Sequence, residues 1–117
     1  MFAVAALIGA LALANAAVAA NAGVAMRGVQ FVPATVNVNV GDAVTWTNED
    51  GIAHSAQADD GSFDTGIFST GSRSVTLTQP GTFGYFCAVH PTTMRGTVNV
   101  AAAATPPPTP APTPPPA

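Results

Sequence analysis

Between residues 35 and 40 valines alternate with polar residues. Val36, Val38 and Val40 fall on one face, and Thr35, Asn37 and Asn39 on the other. A period of two marks a strand with one buried face. Gly41-Asp42 then reads as a turn into "AVTWTN", where Val44 and Trp46 share a face. "SVTLTQPG" repeats the pattern with Val75 and Leu77, and Pro80-Gly81 closes it. "TFGYFC" and "TVNV" follow, and "GVQFV" before Pro33 supplies an earlier strand. In "TFGYFC", Tyr85 has the parity of Cys87 and is expected to point inward, with Phe86 pointing outward. Helical periodicity is not sustained over ten residues in this central region. Short strands at regular spacing, separated by Gly, Pro and Asp turns, predict an all-β fold: one small antiparallel Greek-key β-sandwich. The long irregular region at residues 49–72 is where function is expected to sit.

Composition narrows the domain. Residues 1–19 are uncharged and rich in Ala and Leu, and Ala17-Val18-Ala19 has the small-x-small form of a cleavage site. The segment is read as a signal peptide without the usual basic start; the alternative is an uncleaved membrane anchor. Residues 102–117 are rich in Ala, Pro and Thr and carry eight of the eleven prolines, too few N–H groups for a sheet. They read as a disordered tail or extended spacer. The domain is therefore residues 20–101. Its charge is sparse and acidic, with Arg27, Arg73 and Arg95 against six carboxylates and no Lys. That excludes a basic nucleic-acid footprint.

An exported domain this small commonly needs a disulfide or a metal, and a single cysteine cannot form an internal disulfide. That cysteine, Cys87, is followed by His90 and Met94 within eight residues, at the seam between two strands. The other histidine, His54, follows the strand that holds Trp46. Taken singly, a Cys is a small buried hydrophobe, a Met is core and a His near a turn is surface. Together they are a thiolate, two imidazoles and a thioether. Two His and one Cys in a plane with a weak axial Met is the blue-copper donor set. Asp59, Asp60 and Asp64 invite a calcium reading but lack EF-hand spacing. Asp42, Glu49 and Asp50 read as turn and surface residues.

"VNVGDAVTWTNEDGIAHS", "ADDGSFDTGIFSTG" and "PGTFGYFCAVHPTTMRGTVNV" together resemble the cupredoxins, the type 1 blue copper proteins of the plastocyanin, amicyanin and halocyanin group. The resemblance runs over most of the domain. It implies that His54, Cys87, His90 and Met94 hold one copper ion, the histidines through Nδ1. It departs from the group at two places. Three residues separate His90 from Met94, where amicyanin-like loops have two and plastocyanin-like loops four. Val89 stands where the group usually has Pro, and its N–H is expected to join that of Ser55 as a donor to the Cys87 sulfur.

The implied function is one-electron transfer between redox proteins through the Cu(I)/Cu(II) couple. The encounters would be transient, made by a monomer in the periplasm or at the outer cell surface. Membrane contact would come only through an uncleaved N-terminal segment. His90 is the expected electron exit, ringed by Ile52, Ala53, Phe68 and Pro91. Phe86, beside the cysteine, matches the place of a second electron path, or simply packs on the outer face. The alternative function is copper storage or delivery. Four protein donors leave no open position for substrate, so enzymatic activity is not expected.

Overall fold

The computed structural model describes residues 20–102. The expected signal peptide, and the expected tail beyond its first residue, lie outside them. The chain runs through β1 (Asn21–Met26), β2 (Phe31–Val32), β3 (Thr35–Asn39), β4 (Ala43–Asn48), β5 (Gln57–Ala58), β6 (Gly71–Thr76), β7 (Gly81–Phe86) and β8 (Arg95–Ala101), with no helix among the described residues. Two four-stranded sheets result, ordered β2-β1-β4-β6 and β3-β8-β7-β5. This is the expected sandwich. Within it, two pairings are parallel, β1 with β4 and β3 with β8, and the other four are antiparallel.

The alternation places the core. Val36 and Val38, Val44 and Trp46, and Val98 and Val100 turn inward from their strands, with Tyr85 opposite Trp46 from the other sheet. The Tyr85 ring lies 4.6 Å from Phe31, 5.5 Å from Trp46 and 6.0 Å from Phe63, centroid to centroid. These edge-on and tilted contacts suit aromatic quadrupoles. Burial pushes the Tyr85 phenol up to about 12, so it is neutral in the native state.

Two strands differ from the sequence expectation. β1 carries Ala22, Gly23 and Ala25, small residues that blur the apolar alternation. The strand expected over 28–32 shortens to Phe31–Val32, because Gly28 and Val29 form the turn between β1 and β2. That turn is closed by Arg27 N–H to Gln30 O at 3.0 Å and Gln30 N–H to Arg27 O at 3.2 Å. Asp42 clamps the β3–β4 turn: its carboxylate accepts N–H groups from Asn39 and Ala20, each at 2.9 Å.

The long segment between β4 and β6 folds back on itself. His54 and Phe68 exchange backbone bonds at 3.0 and 2.9 Å, and Ala56 and Thr65 are joined by a third at 3.0 Å. Phe63, Thr65 and Phe68 are thereby buried.

Candidate metal centre

β7 ends at Phe86, so the sheet fixes where Cys87 begins the next loop. Three backbone bonds shape that loop: Cys87 N–H to Met94 O at 2.9 Å, His90 N–H to Cys87 O at 3.1 Å, and Met94 N–H to His90 O at 3.0 Å. Cys87, His90 and Met94 are thus carried on one closed turn. β8 starts directly after it. His54 arrives from the segment after β4, held by its backbone pair with Phe68.

The two approaches meet at the sulfur. Cys87 Sγ lies 3.7 Å from His54 Nδ1 and 3.8 Å from His90 Nδ1. All three donor atoms lie within 4.8 Å of one another. For a first-row ion, metal–sulfur and metal–nitrogen bonds of about 2.3 and about 2.0 Å at trigonal angles separate S from N by about 3.7 Å. The donor set and its spacing therefore fit a copper ion. His54, Cys87 and Met94 are fully buried, while the edge of His90 reaches the surface. The two imidazoles lie 5.2 Å apart, centroid to centroid.

The surroundings tie the two halves together. Ser55 N–H donates to Cys87 Sγ at 3.4 Å, as expected, and Ser55 Oγ accepts the Ala88 N–H at 2.9 Å. One residue thus pins both the sulfur and the residue after it. The Val89 N–H does not join it: no hydrogen bond from Val89 to the sulfur is formed, and the side chain is 43% exposed. The loop closes from Cys87 O to His90 N–H instead, and Val89 sits at its outer tip.

Phe68 also departs from expectation. It is only 6% exposed, because its backbone pair with His54 draws it into the core beneath the site. It lines no surface. Ile52, at 47% exposure, and Pro91, next to His90 in the chain, are exposed, and Ala53 is half-buried. Phe86 is half-buried on the face away from Tyr85, with the Arg95 guanidinium 5.5 Å from its ring centroid.

Asp50 is the residue sequence reasoning missed. Its Oδ2 lies 2.8 Å from His54 Nε2, on the side of the ring away from the sulfur. The carboxyl is held below its ordinary 3.8, first by the Val29 N–H, then by His54 and the Gly28 N–H. The four-residue spacing in "DGIAH" is visible in the sequence, but it acquires meaning only once the loop brings the two side chains together. Asp59, Asp60 and Asp64 are each used locally, by Arg95 and by the Ser62 and Gly66 N–H groups.

Residues 18–101 match the family model described as copper binding proteins, plastocyanin/azurin family. The chain is 32% identical over 72 residues to the chloroplastic plastocyanin of Tetradesmus obliquus, covering 51% of this chain and 50% of that protein. The chain thus spans half the length of that relative. Among solved structures, a point mutant of amicyanin in its reduced Cu(I) form at pH 4 superposes with a TM-score of 0.62 at 29% identity, covering 68% of this chain and 81% of that one. The Cu-containing nitrite reductase from Thermus scotoductus SA-01 gives the same TM-score at 30% identity, but this chain covers only 22% of it.

Proposed function

The chain belongs to the plastocyanin/azurin family of copper-binding proteins, and from that footing we propose that it carries single electrons between redox proteins, with His54, Cys87, His90 and Met94 as the copper ligands. The observation that carries this reading is the convergence of Cys87 Sγ with the Nδ1 atoms of both histidines at 3.7 and 3.8 Å. Copper supplies the redox couple when bound. The protein's part is to hold the donors in one geometry for both oxidation states and to keep water out. Burial of His54, Cys87 and Met94 supports that role, as does the closed 87–94 loop. Met94, buried on the same loop, would supply the thioether of the donor set.

His90 is the electron exit, since its ring alone among the proposed ligands reaches the surface. Val89 and Pro91, which flank His90 in the chain, and the exposed Ile52, near His54 in sequence, are the apolar residues on which a partner would dock. A small apolar surface with little charge suits brief encounters. The protein acts as a monomer, exported to the periplasm or outer cell surface, with residues 1–19 as its signal peptide and 102–117 as a spacer. Four protein donors favour a carrier over an enzyme, because catalytic metals keep an open position.

The test is the visible spectrum of the purified protein during Cu²⁺ titration. The expected result is an intense blue thiolate-to-copper band that saturates at one equivalent and is absent in Cys87→Ser. A pale product would refute the type 1 reading. Rapid surrender of copper to an acceptor protein, faster than redox cycling, would favour storage or delivery instead.

A further inference from the structure

Asp50 touches two things at once. Its Oδ2 meets His54 Nε2 at 2.8 Å and accepts the Val29 N–H at 2.9 Å, while its Oδ1 accepts the Gly28 N–H at 2.7 Å. Gly28 and Val29 are the two central residues of the β1–β2 turn. Both have positive φ, 62° and 58°. Glycine adopts that backbone freely; for a β-branched valine it is an outlier that the surroundings must hold in place. Asp50 holds it by two short bonds to the turn. The carboxylate is itself oriented by the Asp50 N–H bond to Asn48 Oδ1 at 3.0 Å, and the Asn48 amide is fixed on Ile52 O and Phe68 O at 2.7 and 2.9 Å.

The consequence falls on His54. A carboxylate accepts but does not donate, so the ring nitrogen facing it carries the proton. Nε2–H toward Asp50 leaves the lone pair on Nδ1, the atom that faces Cys87 Sγ at 3.7 Å. His54 is fully buried, so bulk water does not compete for Nε2. His90 has no such partner: among the described residues, its only side-chain hydrogen-bond contact is Nδ1 with the sulfur.

We infer that Asp50 is the positioning residue for His54, setting its tautomer and ring orientation for the metal, and that the strained Gly28–Val29 turn is the mount that aims Asp50. This rests on the proposed ligand role of His54. The mount explains why a turn remote in sequence from every ligand is gripped so tightly. The carboxylate also makes the His54 imidazole a stronger donor, which favours Cu²⁺ over Cu⁺.

The first test needs no copper: the ¹⁵N spectrum of the histidine rings in the metal-free wild-type protein. His54 is expected in the Nε2–H form. An Nδ1–H signal overturns the inference, whatever the protein does with metal. The second test compares Cu²⁺ affinity by chelator competition in D50N and D50E. D50N is expected to mix the His54 tautomers and to weaken Cu²⁺ binding by about 10- to 100-fold. D50E keeps the charge and is expected to recover part of that loss. Affinity within twofold of wild type in a folded D50N protein, with the tautomer unchanged, would show Asp50 to be a clamp on the turn only. V29N, in which a residue tolerant of positive φ replaces valine, keeps the carboxylate and is expected to leave tautomer and affinity unchanged. If wild-type protein binds no copper at all, the electron-carrier reading fails while the metal-free spectrum still decides the role of Asp50.

Discussion

Replacing Gly96 with Ala puts a methyl group where the Tyr85 ring lies. The two residues are direct partners in the β7–β8 register. A Cβ on Gly96 would sit 2.5 Å from the Tyr85 hydroxyl oxygen and 2.7 Å from Cε1. Ordinary carbon contacts are about 3.5–4.0 Å, so the ring would have to move by about 1 Å. It has nowhere to go, being fully buried against Phe31, Trp46 and Phe63. Overpacking of this kind costs about 1–3 kcal/mol. Glycine itself weakens a strand by about 0.5–1 kcal/mol relative to Ala. The two effects oppose each other and the clash is larger, leaving a net loss of about 1–2 kcal/mol. In a domain of about 60–100 residues, each kcal/mol lowers Tm by about 4–8 °C. The assay is urea unfolding of the metal-free protein, since bound copper would add its own linkage. Tyr85→Phe supplies the control. Phenylalanine lacks the hydroxyl oxygen and so relieves one of the close contacts, while Cζ and Cε1 remain. In the Tyr85→Phe background Gly96→Ala should therefore be milder, with a coupling of about 0.5 kcal/mol or more. A Gly96→Ala protein as stable as wild type would refute the reasoning.

The other expected outcomes concern the turns and the loop. The Asp42 carboxyl is held below 3.8 by its bonds from the Asn39 and Ala20 N–H groups. A depressed native value adds stability above the unfolded value, and that stability is lost as pH falls through the native one. Asp42→Asn should thus be less stable than wild type near neutral pH, with the gap closing below about pH 3.8 in acid titrations of stability. Ser55→Ala removes the acceptor for the Ala88 N–H. It should cost about 1 kcal/mol and speed amide exchange at Ala88. Phe68→Ala should cost about 3–5 kcal/mol in denaturant unfolding, as a core truncation. Ile52→Ala should change stability by less than about 0.5 kcal/mol yet slow electron exchange with a partner protein.

The sequence by itself determined the strands with a clean period of two, the turns marked by Gly, Pro and Asp, and the ligand loop. Alternation and punctuation are local, so Val36 and Val38, and Val44 with Trp46, could be grouped on one face before any pairing was known. Cys87, His90 and Met94 stand within eight residues, so their chemistry could also be read along the chain. Tertiary structure alone decided what depends on partners distant in sequence. β1 becomes a strand because β4 pairs with it, although its small residues give little pattern. The parallel pairings of β1 with β4 and β3 with β8 follow from crossovers that leave no mark in either strand. Phe68 is core rather than docking surface because its backbone is tied to His54. Asp50 faces a buried histidine on one side and a strained turn on the other, with the turn 21 and 22 residues away along the chain. A carboxylate at a loop position reads as solvated surface until the fold closes around it. A hydrogen bond depends on two atoms meeting in space, and no periodicity along one segment records which distant segment supplies the second.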